Sequence, residues 1–250
     1  MKIREPAVSG MFYPNSKAEL SQMIDSLMQK CVKKKLDNVK AMIVPHAGYS
    51  YSGIVAASGY SLIKEKPHNM VIIMGPSHRI PFLGGAFDTN EFWITPLGKV
   101  KVNNFYAEKI KLLPEAHIHE HSIEVQVPFL QKTLRDFSIC PISLGFYAGS
   151  ITNDILKNIS DNTLIIVSSD LSHYLPYADA VKTDNATIKS ILSLEHVNAD
   201  DACGAEGINI LVDIAKIKKW KPLLVDYKNS GDTSGAKSEV VGYCCIAFIE

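Results

Sequence analysis

Residues 71–78 have the sequence Val-Ile-Ile-Met-Gly-Pro-Ser-His, in which four apolar residues run into a Gly-Pro turn and a histidine follows. A short, uninterrupted apolar run bounded by glycine and proline is typical of a strand buried on both faces of a parallel sheet. Open α/β sheets bind their ligands at the carboxyl ends of such strands. His78 is therefore a candidate site residue.

The same pattern recurs twice along the chain. Residues 42–45 (Met-Ile-Val-Pro) precede His46, and residues 164–169 precede Asp170, with His173 three residues later. Because the carboxyl ends of parallel strands meet at one edge of a sheet, we expect one site that combines these side chains. If residues 170–173 form a helical turn, Asp170 and His173 share a face. The carboxylate can then fix the tautomer of the imidazole, raise its pKa or join it on a metal.

Composition excludes several classes of function. Across 250 residues, 26 Lys and Arg balance 26 Asp and Glu, so the protein has no overall basic field of the kind that binds nucleic acid. No apolar run approaches the roughly 18 residues of a membrane span, and no signal-peptide core follows the N-terminus. The five cysteines are odd in number and lack CxxC spacing, which indicates free thiols and a cytoplasmic location.

Hydrophobic periodicity and turn signals predict an α/β fold with a largely parallel sheet between helices. A capping box at Ser16–Glu19 begins the first helix. The remaining predicted helices cover residues 54–63, 104–113, 150–159, 178–194 and the segment from 208 onward; the predicted strands cover 40–45, 70–74, 138–144, 164–169, 221–227 and 239–249, with antiparallel strands added within 82–102.

Residues 117–121 (His-Ile-His-Glu-His) form the most polar cluster of the chain. On a strand, the HxHxH spacing would place all three imidazoles on one face. For His117 and His119 we favour a solvated loop instead. His121 directly precedes an apolar-patterned segment, and the sequence favours neither a site position nor a surface position for it.

Cys203 lies just before a predicted helix start. The positive end of a helix dipole stabilises a thiolate, so a reactive or metal-binding role is one interpretation. A buried structural cysteine is the simpler one on the residues alone.

Five motifs occur in an order that resembles the Memo family: Pro-His-Ala-Gly-Tyr-Ser-Tyr-Ser-Gly (45–53), Gly-Pro-Ser-His (75–78), Glu-His-Ser-Ile-Glu (120–124), Ser-Ser-Asp-Leu-Ser-His (168–173) and Cys-Gly (203–204). The opening residues 4–14 are also similar to that family. The resemblance covers essentially the whole chain. It implies one domain over residues 1–250 with a fold similar to the class III extradiol dioxygenases, a three-layer sandwich with a central, largely parallel or mixed sheet flanked by helices.

The resemblance also implies roles for individual residues. His46, His78 and Cys203 match the metal-binding set, His173 matches the acid/base histidine of the dioxygenases, and Asp170 and His121 match pocket partners. The dioxygenases complete two histidines with a carboxylate, which suits iron(II), whereas Cys203 supplies a softer thiolate. Two histidines and a cysteine suit copper or zinc as readily as iron.

Three functions follow as hypotheses. The first is an oxidoreductase that uses iron(II) or copper on an unknown small-molecule or peptide substrate. The second is a zinc-dependent hydrolase, because two histidines and a cysteine are a known catalytic zinc set. The third is a metal- or peptide-binding module without turnover. The family resemblance further implies AMMECR-type and radical-SAM proteins as partners.

Overall fold

A mixed sheet of 11 strands runs through the protein, whose computed structural model describes residues 2–250. The strands are β1 (Ile3–Arg4), β2 (Val39–Val44), β3 (Met70–Pro76), β4 (Gly85–Phe87), β5 (Phe92–Thr95), β6 (Gly98–Val102), β7 (Ile110–Leu112), β8 (Ser138–Leu144), β9 (Thr163–Ser168), β10 (Lys221–Asn229) and β11 (Gly242–Ile249). Their order is β1-β5-β6-β8-β3-β9-β2-β11-β10, and β4 pairs with both β7 and β8.

The four central strands β8, β3, β9 and β2 pair in parallel. Val44 of β2 lies opposite Ser168 of β9, and Met74 of β3 lies opposite Val167. The carboxyl ends of these strands therefore emerge at one edge of the sheet. At the far side, β11 and β10 continue the sheet in antiparallel pairing.

Helices cover both faces of the sheet. They are α1 (Lys17–Lys30), α2 (Tyr49–Tyr60), α3 (Glu115–Ile118), α4 (Val127–Thr133), α5 (Thr152–Leu156), α6 (Tyr177–Leu192), α7 (Ala205–Lys218) and α8 (Ser230–Ser234). Within the part of the chain that the structure describes, no helix is both long and apolar enough to cross a membrane.

Successive strand residues alternate between two apolar cores. Val71 and Ile73 pack in one core with residues of α1, α2 and α4, whereas Ile72 and Met74 pack in the other with residues of α6 and α7. This alternation is the geometry of a pleated strand. It explains why the middle of each central strand is an almost uninterrupted apolar run, and it confirms the predicted three-layer sandwich.

Several predicted elements differ from the structure. The helix predicted for residues 104–113 is wrong, because Asn104 donates its side-chain amide to the Asp88 carbonyl at 2.7 Å instead of capping a helix. That segment is irregular and ends in the short strand β7. The helix predicted for 150–159 is shorter, a 3-10 turn at Ala148–Ile151 followed by α5. Helix α2 begins earlier than predicted, at Tyr49.

A buried ion pair ties the N-terminal segment to residues 117–124. Arg4 Nη1 lies 2.7 Å from Glu124 Oε2, and both side chains are at most 2% exposed. Arg4 also donates to the carbonyls of His117 and Glu120, at 2.7 Å each. The Glu124 carboxylate accepts further hydrogen bonds from the backbone of Ala7 and Val8 and from the Tyr13 hydroxyl.

Arg4→Met should lower the free energy of unfolding by about 3–5 kcal/mol, because it leaves Glu124 as a buried charge without its partner. Urea denaturation measures the loss. The matched control is Lys132→Met, which breaks the more exposed pair with Asp25 and should cost less than about 1 kcal/mol. Equal losses in the two variants would contradict the importance assigned to Arg4.

Candidate metal centre

Three side chains from distant segments meet at the edge where the central strands end. His46 lies two residues after β2, His78 two residues after β3, and Cys203 two residues before α7. One donor atom from each lies within 4.8 Å of the others. His46 Nε2 is 3.3 Å from Cys203 Sγ.

The separation of the His46 and Cys203 donor atoms fits a metal ion. Zinc–nitrogen bonds of 2.0–2.1 Å and a zinc–sulfur bond of 2.3 Å in a tetrahedron place the donor atoms about 3.5 Å apart. The separation of His46 Nε2 and Cys203 Sγ is 3.3 Å. A set of two imidazoles and one thiolate suits zinc, copper or iron.

A hydrogen-bond network fixes the tautomer of His46. Its Nδ1 lies 3.0 Å from Ser168 Oγ, which donates its one hydroxyl proton to the Ser122 carbonyl at 2.5 Å. Ser168 can therefore only accept from the imidazole. His46 carries its proton on Nδ1, and Nε2 presents a lone pair toward Cys203.

Gln126 holds Ser168 in this network. Its Nε2 donates to Ser168 Oγ at 2.7 Å and to the Pro45 carbonyl at 2.9 Å. Its Oε1 accepts from the Tyr60 hydroxyl at 2.9 Å. Every polar atom of the amide has a partner, so the orientation of Gln126, and through it that of Ser168, is fixed.

Glu120 orients His78. Glu120 Oε1 lies 3.0 Å from His78 Nδ1, while Oε2 accepts from the His78 backbone at 2.6 Å. Burial alone would raise the pKa of Glu120, but the His78 hydrogen bonds and the Ser122 amide outweigh it and lower the pKa to about 2. A carboxylate on Nδ1 leaves Nε2 of His78 available as a ligand, which is the usual outer-sphere arrangement of metal-binding histidines.

His121 joins the same cluster. Its ring stacks on His78 at a centroid distance of 4.9 Å and lies 5.4 Å from His46. Phe12 covers it from the N-terminal segment at 4.7 Å. Burial, with the nearby His78, lowers the pKa of His121 to about 4 even though the Glu120 charge opposes the shift.

A second group of donor atoms, from His78, Glu120 and His121, also lies within 4.8 Å. The Glu120 oxygens in this group already accept hydrogen bonds from the backbone amides of His78, His121 and Ser122. We therefore assign Glu120 to positioning the two imidazoles, which leaves the group that contains Cys203 as the candidate metal-binding set.

The expected pairing of Asp170 with His173 is wrong. Residues 169–173 do not form a helical turn. The Asp170 carboxylate accepts from the His46 backbone at 2.8 Å, and no hydrogen bond joins it to His173 among residues 2–250. Burial raises the pKa of Asp170 to about 7. Asp170 thus holds the loop that carries His46.

His173 is exposed, and it lies close enough to His46 and His78 to interact with them electrostatically. The preceding residue, Ser172, donates its backbone amide to Asp184 at 3.0 Å and accepts from the backbone of Gly242 at 2.9 Å. These bonds fix the loop that presents the His173 ring.

Burial and the surrounding imidazoles of His78, His121 and His173 together lower the pKa of His46 well below its ordinary value.

Cys203 is placed by its neighbours more than by the helix that follows. Its sulfur accepts from the Asp170 backbone at 3.3 Å. Burial, reinforced by the Asp170 charge, raises the pKa of the thiol to about 12. The lowering expected from the α7 dipole is outweighed, so without a metal the group is a neutral thiol.

Of the two histidines predicted to be solvated, only His119 is exposed. His117 is 1% exposed, and its Nε2 lies 3.0 Å from the Ala86 carbonyl. Burial lowers its pKa to about 4. The prediction for His117 was wrong because residues 115–118 form helix α3, which turns this ring inward.

Sequence reasoning missed the supporting residues Tyr60, Gln126 and Glu124, all of them buried. A signal was present: Glu124 and Gln126 interrupt the apolar residues Ile123, Val125 and Val127. Polar side chains within an apolar run that becomes buried need hydrogen-bond partners.

The chain is similar to known proteins of one family over nearly its whole length. Residues 4–247 match the family described as Memo-like protein. A "MEMO1 family protein" from Aquifex aeolicus is 36% identical, with 100% of both chains covered. Relatives with the same family name from Saccharolobus islandicus strain M.14.25 and Archaeoglobus fulgidus are 37% and 36% identical, each covering 98% of this chain and 99% of the relative.

Acidification should destabilise the protein partly through His117. The ring stays neutral in the folded state down to about pH 4, whereas the unfolded chain takes up a proton near pH 6.5, so stability falls as the pH drops from 7 to 5. His117→Gln should reduce that fall by about 1–2 kcal/mol, measured as unfolding free energies at the two pH values. His196→Gln, at an exposed ion pair with Asp213, is the control; an equally large effect there would contradict the assignment.

Gly204→Ala should displace Cys203. A Cβ at this position would lie 2.6 Å from Ser169 Cβ and 2.8 Å from the Ser168 carbonyl oxygen, so we expect a loss of about 1–3 kcal/mol in unfolding free energy. Gly149→Ala, where a Cβ meets nothing within 4 Å, should change it by less than about 0.5 kcal/mol. Indistinguishable values would show that the close packing behind Cys203 is not needed.

Proposed function

The chain belongs to the Memo-like protein family, and we propose that it is a metal-dependent oxidoreductase whose iron or copper ion is held by His46, His78 and Cys203. A small molecule is its substrate. All five cysteines are free, which supports a reducing, cytoplasmic location as part of the same proposal.

The observation that carries this proposal is the convergence of three donor atoms within 4.8 Å. They come from three separate segments, and each imidazole has its other nitrogen engaged, His46 with Ser168 and His78 with Glu120. Holding lone pairs toward one point has a cost in conformational entropy and in buried polar groups, which a bound ion offsets.

A bound iron or copper ion would supply one-electron chemistry and polarise an oxygen of the substrate. The protein's own contribution is proton handling and orientation. The pKa of His121 is lowered to about 4, so at neutral pH its imidazole is uncharged and adds no positive charge beside His46 and His78. His173, at the exposed side, is placed to exchange protons with solvent.

Zinc-dependent hydrolysis is the second candidate. The thiolate of Cys203 stands where iron(II) dioxygenases use a carboxylate, and two histidines with a cysteine bind catalytic zinc in other enzymes. The two candidates share the ligand set and differ in the ion. Activity of protein loaded anaerobically with iron(II), copper(I) or zinc separates them.

Metal-free, reduced protein titrated with Co(II) under anaerobic conditions should bind one equivalent and develop the absorption of a thiolate–cobalt bond. Cys203→Ser should abolish that absorption, and His46→Ala should weaken binding by at least about tenfold, since both remove a ligand. Cys140→Ser, at a fully buried cysteine of the core, is the matched control and should retain the signal. Failure of wild-type protein to bind cobalt, or an unchanged signal in Cys203→Ser, would overturn the proposed function.

A further inference from the structure

A cavity of about 340 Å³ opens beside His78 and Cys203. Its apolar lining includes the buried residues Met74, Leu144 and Gly207 and the more exposed residues Ile80, Pro81 and Phe146. At about 30 Å³ per water molecule, the volume equals that of roughly 11 waters. A cavity of this size and lining is typical of a small-molecule site.

Besides His78, two charged residues line this cavity, Arg79 and Glu206. They differ in the partners that they have within the protein. The Glu206 carboxylate accepts from the backbone amides of Tyr147 at 3.1 Å and Ala148 at 2.8 Å. These bonds fix Glu206 as a link between α7 and the turn after β8. Each carboxylate oxygen thus has one backbone amide donor, which offsets part of the negative charge that Glu206 brings to the cavity.

Arg79 lacks a carboxylate partner in the described part of the chain. Among residues 2–250, no carboxylate lies within 4.0 Å of its guanidinium, although it follows His78 directly and lines the cavity. The N-terminus of α7, a 14-residue helix, lies at the same wall and adds a positive partial charge. The Arg79 side chain is exposed, and from the rim of the cavity its guanidinium presents its donors in the fork geometry that matches a carboxylate.

We infer that the cavity binds a small carboxylate with an apolar body, its carboxylate against Arg79 and its body on the wall of Met74, Leu144 and Gly207. This inference rests on the proposed function in one respect: the ligand is the substrate because the cavity has His78 and Cys203 in its wall. A body of roughly ten non-hydrogen atoms fits the volume. His121 and His173 are not among the residues that line the cavity.

The test uses three probes of one shape and different charge, phenylacetate, phenylacetamide and phenethylamine, with Kd measured by calorimetry for the protein with and without Co(II). We expect phenylacetate to bind at least about tenfold more tightly than the amide, and the amine to bind most weakly. In Arg79→Gln the preference for phenylacetate over the amide should disappear while amide binding is unchanged. Lys111→Gln, at a nearby cation that lies over Phe82 outside the cavity lining, should keep the preference.

Three results would overturn the inference: no preference for the carboxylate in wild-type protein, a preference that survives in Arg79→Gln, or tighter binding of the amine. A preference that survives in Arg79→Gln but requires Co(II) would place the carboxylate on the metal instead. The cobalt absorption, recorded separately in the same samples, reports on the proposed function. Loss of that signal with a retained, Arg79-dependent preference would defeat the metal assignment and leave the anion site standing.

Discussion

The parallel pairing of β2, β9 and β3 is the constraint on which the site depends. Because Val44 lies opposite Ser168 and Met74 opposite Val167, the loops after all three strands begin at the same level of the sheet. His46, Asp170 and His78 thus start close together before any side-chain contact forms. A shift of register would separate them by about 3.3 Å per residue, which is as large as the separation of His46 Nε2 and Cys203 Sγ at 3.3 Å.

The segment at residues 120–126 connects this edge of the sheet to the rest of the fold. Glu120 faces the imidazoles of His78 and His121, Glu124 faces Arg4 and the N-terminal segment, and Gln126 faces Ser168. Each is at most 2% exposed. Buried polar groups are tolerated when their partners are in place, so the buried position of this segment depends on the N-terminal residues and on both strand ends.

The sequence contained enough information to predict the sheet, because uninterrupted apolar runs and their Gly and Pro boundaries are local signals. It also identified His46 and His78, which follow those runs directly. It did not reveal the partner of Asp170, since a separation of three residues from His173 suggests a helical turn that the backbone pairing with β11 prevents. The burial of His117 was missed for a related reason: the Ala86 carbonyl that accepts its hydrogen bond is 31 residues away. The metal-binding role predicted for Cys203 rested on the family resemblance. The residues around its sulfur come from the end of β9 and not from α7, so no local sequence signal identifies them.

The network behind His46 also determines how protons enter and leave this region. The Ser168 hydroxyl has one hydrogen, which it gives to the Ser122 carbonyl, and the Gln126 amide gives both of its hydrogens to Ser168 and Pro45. No atom of this hydrogen-bond network can take the proton from His46 Nδ1 and pass another onward without breaking several buried hydrogen bonds at once. The interior side of His46 is therefore closed to proton conduction, and any acid–base exchange with bulk water has to cross the opposite, solvent-facing side of the imidazole cluster.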